Sequence, residues 1–216
     1  MSFKAILFDL DGTLLDTIDD LADAMSAALG ELGYAARAVH ECKFFVGDGR
    51  HNFALRALPQ EARDQATVAR CADLLTRNYA ANWAAKTRPY DGIGRMLRGV
   101  AGRGLAMAVL SNKPDQFTRQ MVEHFFPSGP FRIVRGAVDG EALKPDPSAA
   151  LEIAEALELS PEAFLYLGDT DTDMKTATAA RMFAVGAAWG FRPAEELLAS
   201  GAKKIIDHPT DLLRLI

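Results

Sequence analysis

The sequence contains little that would build a disulfide framework, a thiolate metal site or a membrane span. Its two cysteines, Cys42 and Cys71, lie in separate segments with helical patterns and match no metal-ligand spacing. No uninterrupted apolar run approaches the roughly 20 residues that a membrane-spanning helix requires. The first residues run directly into Asp9 and Asp11, which is not typical of a signal peptide. We therefore expect a cytoplasmic protein with no membrane partner.

Several enzyme signatures are also missing. No serine lies in a G-x-S-x-G elbow, and no G-x-x-x-x-G-K-S/T loop is present to bind a nucleoside triphosphate. The formal net charge of −5 argues against nucleic acid or an anionic membrane surface as a partner. The four histidines match neither metal-ligand nor catalytic-triad spacing: His40, His51, His124 and His208.

The sequence does contain enough apolar residues, 49% of 216, to bury a sizeable core. Short apolar runs alternate with helical patterns, which predicts βαβ units and an α/β fold. We expect a Rossmann-like parallel sheet with helices on both of its faces. The predicted strands are residues 3–8, 105–110, 131–134 (a weak pattern), 164–167, 183–187 and 204–207.

Residues 17–85 interrupt this alternation, because they have helical patterns and no strand. Thr17 is predicted to cap the first helix, with Asp20 in a capping-box-like position. We interpret the segment as a small all-helical domain inserted after the first strand. The predicted domains are a core of residues 1–15 with 87–216 and an insertion of residues 16–86, joined by a hinge. Helices in the insertion are predicted at 39–46, 51–58 and 61–85.

Polar side chains follow four of the predicted strands, and the carboxyl ends of parallel strands form the binding edge of such a sheet. These residues are Asp9 with Asp11, Ser111 with Asn112, Lys144, and Asp169 with Asp173. Asp9 and Asp11 would face the same side if strand geometry persisted to the second of them. They could act as nucleophile and proton carrier, hold a metal, or do both; a merely solvated strand end is the remaining possibility.

The other strand ends add a metal site and an anion site. A few carboxylates at one place suit Mg²⁺, whereas the 168–173 segment lacks the glycine and glutamate of a calcium loop. Ser111 is expected to end its strand, and Asn112 and the backbone N–H groups beyond it are expected at a helix start that could bind an anion; a plain serine cap is the other interpretation of Ser111. Lys144 could offset negative charge near Asp9.

Taken in order, these motifs resemble those of the haloacid-dehalogenase-like phosphatases over nearly the whole chain. The helical insertion is similar to the family's cap domain, and residues 45–49 with 55–58 look most like the phosphoglycolate phosphatase branch. The motifs are Asp9-Leu10-Asp11-Gly12-Thr13-Leu14, Ser111-Asn112-Lys113, Lys144-Pro145, and Gly168-Asp169 with Asp173.

The resemblance implies a phosphoric monoester hydrolase. Asp9 would form an aspartyl-phosphate, while Asp11 would protonate the leaving oxygen and then activate water. It also implies Mg²⁺ held by the Asp9 side chain, the Asp11 carbonyl and Asp169, with Asp173 in support. The residues expected to contact the phosphate group or the rest of the substrate are Thr13, Ser111, Asn112, Lys144 and Gly49.

The implied substrate is a small phosphorylated metabolite, with 2-phosphoglycolate as the leading candidate, and the protein is expected to be a monomer or homodimer. A phosphosugar mutase of the β-phosphoglucomutase type or a pyrophosphatase could use the same motifs. A phospho-aspartate signalling module is disfavoured, because such modules lack the helical insertion and need no acid/base residue two positions after the nucleophile.

Overall fold

A parallel sheet forms the centre of the structure, a computed structural model that describes residues 3–127 and 129–216. In chain order the strands are β1 (Ala5–Phe8), β2 (Leu15–Asp16), β3 (Arg88–Pro89), β4 (Ala106–Pro114), β5 (Phe131–Ala137), β6 (Phe164–Gly168), β7 (Phe183–Ala187) and β8 (Lys204–Ile206). Six of them form the main sheet in the order β5-β4-β1-β6-β7-β8, with every neighbouring pair parallel. The predicted α/β fold is confirmed.

Nine α-helices occur in the described part of the chain, together with three short 3-10 segments. They are α1 (Ile18–Glu31), α2 (Val39–Phe45), α3 (Arg50–Ala57), α4 (Gln65–Asn82), α5 (Ile93–Gly102), α6 (Asp115–Phe125), α7 (Ser148–Ala156), α8 (Asp171–Ala179) and α9 (Ala194–Ala199). Among the described residues, none of these helices is both long and apolar enough to cross a membrane.

The chain divides into two compact units, Met1–Leu15 with Pro89–Ile216, and Asp16–Arg88. The first contains the main sheet, and the second contains the four helices α1 to α4. The short strands β2 and β3 pair with each other at the two points where the chain passes from one unit to the other. The expected boundary after residue 86 falls two residues before this division.

Strand β1 lies at the centre of the sheet, and all four of its residues are buried. It pairs with β4 on one side and β6 on the other, so Phe8 lies beside Val109 and Leu167. Ala5 and Leu7 pack into a core with buried residues of α7, α8 and α9 on one face of the sheet. This burial on both sides explains why the central strands are continuously apolar in the sequence.

Strand β4 is longer than expected. The predicted strand ended at residue 110, but β4 continues through Ser111, Asn112 and Lys113 to Pro114. Helix α6 begins only at Asp115. The prediction that Asn112 lies at a helix start was therefore wrong, because the strand continues past a register shift after Leu110 until Pro114 pairs with Ala137 of β5.

The bounds predicted for the long helix, residues 61–85, were also wrong. A 3-10 segment at Gln60–Ala62 precedes α4, which begins only after Asp64. The Asp64 carboxylate accepts hydrogen bonds from the Thr67 backbone N–H at 3.0 Å and the Thr67 hydroxyl at 2.7 Å. A side chain that caps the helix in this way defines its first turn, and the helical periodicity before it extended the prediction too far.

Asp20 does not take the capping-box role predicted for it. It is buried, and its carboxylate accepts from the Lys86 backbone N–H, the Thr87 backbone N–H and the Thr87 hydroxyl at 2.7–3.0 Å. Thr17 makes no side-chain cap, and within the described residues its buried hydroxyl has no hydrogen-bond partner. Asp20 therefore joins the start of the helical unit to its last residues.

We predict that Asp20→Ala lowers the free energy of unfolding by about 2–4 kcal/mol, because it leaves buried N–H groups without an acceptor. Asp23→Ala is the matched control. Asp23 forms an exposed ion pair with Lys86, and its loss should cost less than about 1 kcal/mol. Urea unfolding of both variants measures the difference, and equal losses would contradict the role given to Asp20.

Candidate active site

The carboxyl edge of the central strands brings the predicted acidic residues together. Asp9 directly follows β1, and its backbone N–H continues the sheet by donating to the Leu167 carbonyl at 2.9 Å. Its side chain is buried, and one carboxylate oxygen accepts from Lys144 Nζ at 2.7 Å. The end of the central strand thus presents an acid already paired with a lysine from a distant loop.

The chain turns sharply immediately after Asp9. The backbone N–H groups of Thr13, Leu14 and Leu15 all donate to the Leu10 carbonyl, and Gly12 has a φ of 86°. A side chain at Gly12 would also come within 2.2 Å of an Asp169 carboxylate oxygen. The regular strand ends at Phe8, and Asp11 forms only an isolated parallel bridge with Leu15, so the continuous strand on which the same-side prediction depended is not present.

Lys144 links three parts of the site. Its ammonium donates to Asp9 at 2.7 Å, to Asp173 at 2.6 Å and to the Leu110 carbonyl at 3.2 Å. The Asn112 side chain holds the Lys144 backbone: its amide donates to the Lys144 carbonyl at 2.9 Å and its oxygen accepts from the Lys144 N–H at 2.8 Å. The Asn112 side chain thus holds the Lys144 backbone, and its predicted phosphate contact stays a prediction.

Asp173 lies in the first turn of α8, where it forms a capping box with Thr170. One of its oxygens accepts from the Thr170 N–H and hydroxyl at 3.1 and 2.7 Å. The other accepts from Lys144 and from the buried Tyr166 hydroxyl, the latter at 3.2 Å. Gly168 is required beside it, because a Cβ there would lie 2.4 Å from Asp173 side-chain atoms.

Asp169 is completely buried and is held from two distant segments. One oxygen accepts from the Thr13 hydroxyl and the other from the Phe191 backbone N–H, each at 2.8 Å. A Cβ at Gly190 would lie 2.2 Å from Asp169, so only glycine lets the backbone approach this closely. The Thr13 hydroxyl donates to Asp169, and its predicted phosphate contact stays a prediction.

Burial and repulsion from neighbouring acids dominate the electrostatics of Asp9 and Asp169. Burial, together with the Asp173 charge, holds the pKa of Asp9 well above its usual range despite the Lys144 ammonium. Burial and Asp173 likewise raise the pKa of Asp169 to about 7. Burial alone would lower the pKa of Lys144, but Asp173 and Asp9 hold it well above its ordinary value.

The donor set fits a hard divalent cation. One carboxylate oxygen from each of Asp9, Asp169 and Asp173 lies within 4.8 Å of the others, and all three residues are buried. If all three carboxylates are ionised, they and the single ammonium of Lys144 leave two negative charges in a buried place, which is the cost that the raised pKa values of Asp9 and Asp169 reflect. Oxygen ligands of this kind suit Mg²⁺, and a bound divalent cation would balance the remaining charge.

Asp11 takes a different partner from the other acids. Lys113 Nζ donates to both of its carboxylate oxygens, at 2.9 and 3.0 Å, so its side chain is directed to a lysine of its own. Ser111 is buried at the same sheet edge, and its hydroxyl oxygen accepts from the Lys113 N–H at 3.2 Å. Gly49 directly precedes helix α3 in the other unit, and its substrate contact stays a prediction.

Sequence reasoning missed the contacts that hold these acids in place. Tyr166 supports Asp173, and Phe191 supports Asp169; Trp189 also donates from its indole N–H to the Thr13 carbonyl at 3.0 Å. The only local signal for Tyr166 was a hydroxyl-bearing residue inside an apolar strand that ends at the acidic motif. Nothing near residue 190 in the sequence points to Asp169, because the contact joins distant parts of the chain.

Comparison with known proteins agrees with this geometry. A family model described as haloacid dehalogenase-like hydrolase matches residues 6–187. A phosphoglycolate phosphatase from Pseudomonas syringae pv. tomato is 30% identical, with 99% of this chain and 78% of that protein covered. One from Aquifex aeolicus is 29% identical, with 99% and 96% covered.

Structural similarity extends over the whole chain. A crystal structure of a proposed phosphoglycolate phosphatase from Lactobacillus delbrueckii subsp. bulgaricus has a TM-score of 0.93 and 30% identity, and the match covers 100% of this chain and 99% of that one. The resemblance to the phosphoglycolate phosphatase-like branch and the enzyme class, a phosphoric monoester hydrolase, are confirmed. The family model matches most of the chain, and relatives align along nearly all of it. The chain therefore belongs to the haloacid dehalogenase-like hydrolases.

Proposed function

We propose that this protein is a Mg²⁺-dependent phosphatase that hydrolyses a small phosphate monoester through an aspartyl-phosphate on Asp9. The observation that carries the proposal is the position of Asp9. It is the acid at the end of the central strand, it is paired with Lys144, and it belongs to the buried group formed with Asp169 and Asp173. The other acids of that group are anchored by hydrogen bonds from Thr13, Phe191, Thr170 and Tyr166.

In the first half of the reaction, an Asp9 oxygen attacks phosphorus and forms the acyl-phosphate bond as the ester P–O bond breaks. Lys144 keeps Asp9 oriented and offsets negative charge on the transferring phosphoryl group. Asp11 enters this step protonated and gives its proton to the leaving oxygen, so that the product leaves as an alcohol and Asp11 is left as the carboxylate that pairs with Lys113. Ser111 is the candidate for holding a phosphate oxygen.

In the second half, Asp11 takes a proton from water as the water oxygen attacks phosphorus. The acyl-phosphate bond breaks, inorganic phosphate leaves, and Asp9 returns to a carboxylate. The ion Mg²⁺, when held by Asp9, Asp169, the Asp11 carbonyl and Asp173, would neutralise charge on the phosphoryl oxygens. The helical unit Asp16–Arg88 would serve as a cap, with Gly49 contacting the substrate.

The leading substrate candidate is 2-phosphoglycolate. Support comes from the names of the similar proteins, which include phosphoglycolate phosphatases aligned over nearly all of this chain. Such a substrate is a small phosphorylated metabolite whose leaving oxygen is an alkoxide, and an alkoxide needs a proton from an acid such as Asp11.

We predict that Asp9→Asn lowers kcat by about 10³-fold or more on every phosphate ester, because the amide cannot act as the nucleophile. Asp73→Asn is the matched control, since this carboxylate is exposed on α4 and should be dispensable. Phosphate release with Mg²⁺ measures both variants, and chelation should abolish release by the wild type. Unchanged turnover in Asp9→Asn would remove the proposed nucleophile.

A substrate panel distinguishes the candidate reactions. We expect 2-phosphoglycolate to have the highest kcat/KM when it is compared with hexose phosphates and pyrophosphate. Transfer of the phosphoryl group between hexose phosphates, without release of phosphate, would instead indicate a mutase. Preferential hydrolysis of pyrophosphate would indicate a pyrophosphatase.

The stability of the metal-free protein should depend on pH. Burial raises the pKa of Asp169 from 3.8 to about 7, so the folded state binds a proton that the unfolded chain releases. The contribution is therefore fully present below the unfolded value and is lost as the pH rises towards 7. We predict that Tm in chelator falls between about pH 4 and pH 7, and that added Mg²⁺ raises Tm more at pH 8 than at pH 5.

Asp169→Asn provides the control for this pH dependence. The amide does not titrate, so the variant should have a flatter dependence of Tm on pH and a smaller response to Mg²⁺. If the wild type and the variant had the same pH dependence, Asp169 would not be the group responsible.

A further inference from the structure

Lys113 is the least expected charged residue in the site. Its ammonium donates to both oxygens of Asp11, at 2.9 and 3.0 Å. The side chains of Lys113 and Asp11 are only 4% and 11% exposed, so the pair is largely shielded from water. An ion pair with two hydrogen bonds in such a place restricts the carboxyl group far more than an exposed pair would.

The backbone of Lys113 is itself held in place. It lies in the part of β4 that extends beyond the predicted strand, and its carbonyl accepts from the Thr118 hydroxyl at 3.1 Å. Gly136 on β5 passes so close that a Cβ there would lie 2.6 Å from the Lys113 carbonyl oxygen. The backbone of Lys113 is therefore fixed within the sheet and does not lie in a surface loop.

The two buried lysines donate hydrogen bonds to different acids. Lys144 donates to Asp9, Asp173 and the Leu110 carbonyl, and Lys113 donates to Asp11. Asp11 lies in the turn that follows β1 and is close in sequence to Asp9, which has two further buried acids, Asp169 and Asp173, beside it. Without Lys113, repulsion from these acids would favour side-chain rotamers of Asp11 that point away from the reaction centre.

We propose that Lys113 is the positioning residue of Asp11, and that it holds the carboxyl group where it can exchange a proton with the leaving oxygen. This inference rests on the proposed function, in which Asp11 is the acid. Lys113 would act through Asp11 and would not contact phosphorus. Its loss should therefore reproduce, in weaker form, the loss of Asp11.

The dependence on leaving group separates this role from a general structural one. The p-nitrophenolate ion leaves readily without a proton, phenolate leaves less readily, and an alkoxide requires protonation. The parameter kcat/KM reports only steps up to the first irreversible one, which is the transfer to Asp9. A misplaced Asp11 should therefore lower kcat/KM progressively from p-nitrophenyl phosphate to phenyl phosphate to an alkyl phosphate such as 2-phosphoglycolate.

The experiment measures kcat/KM on these three esters with Mg²⁺ for the wild type, Lys113→Met, Lys113→Arg, Asp11→Asn and the double variant Asp11→Asn/Lys113→Met. For Lys113→Met we expect a loss of about 10²-fold on the alkyl ester and less than about tenfold on p-nitrophenyl phosphate. Lys113→Arg should restore part of the loss, because arginine also pairs with a carboxylate. In the Asp11→Asn background, Lys113→Met should cause little further loss.

Lys175→Met is the matched control, because Lys175 forms an exposed ion pair with Asp171 on α8 and should leave all three rates unchanged. Thermal unfolding of each variant monitors the fold. If Lys113→Met does not fold, Lys113→Gln provides the same comparison, since its amide keeps one hydrogen bond but no charge.

Two results would overturn the proposal. One is an equal loss on all three esters, and the other is a full additional loss in the Asp11→Asn background, which would indicate that Lys113 contacts the substrate directly. Failure of the proposed function would give a different result. In that case Asp9→Asn would keep its activity, or the activity lost in Asp11→Asn would not depend on the leaving group. A selective effect of Asp11→Asn with an unselective effect of Lys113→Met would reject the positioning role alone.

Discussion

The arrangement depends on one buried ammonium group, that of Lys144. It contacts acids that follow β1 and begin α8, and a carbonyl of β4, so it joins three elements of the sheet edge. Asn112 fixes its backbone from β4 with two hydrogen bonds. Buried carboxylates repel one another strongly in a poorly screened place, and a lysine held in this way lets them remain close. The excess of negative charge that remains is what makes the site suitable for a divalent cation.

Close backbone approach is the second requirement. Gly12, Gly168 and Gly190 each lie where a Cβ would overlap Asp169 or Asp173, so the acids are packed against bare backbone. The hydrogen bonds to the two acids then leave little freedom of orientation. The acid predicted to move a proton, Asp11, is held differently, by a separate lysine on the β4 extension. The structure thus separates the acids that can hold a metal from the acid proposed to exchange protons.

Much of the fold could be predicted because its signals are local. Apolar runs predicted the six strands of the main sheet, and polar residues at their ends predicted which edge carries the site, since parallel strands end together. Boundaries were less secure where polar residues continued a strand, as at Ser111 to Lys113, or where a cap such as Asp64 started a helix late. At such points hydrogen bonding outweighs the apolar pattern.

The sequence by itself determined the α/β class, the helical insertion and the acidic residues of the candidate site, because spacing and residue type carry that information. Only the tertiary structure decided which partner each polar group takes. Thr13 donates to Asp169, 156 residues away, and Lys113 reaches Asp11 across 102 residues. Asp20 looked like a capping residue but accepts from Lys86 and Thr87. A local pattern cannot distinguish such partners, because a hydrogen bond is chosen by distance in the folded chain and not by separation in sequence.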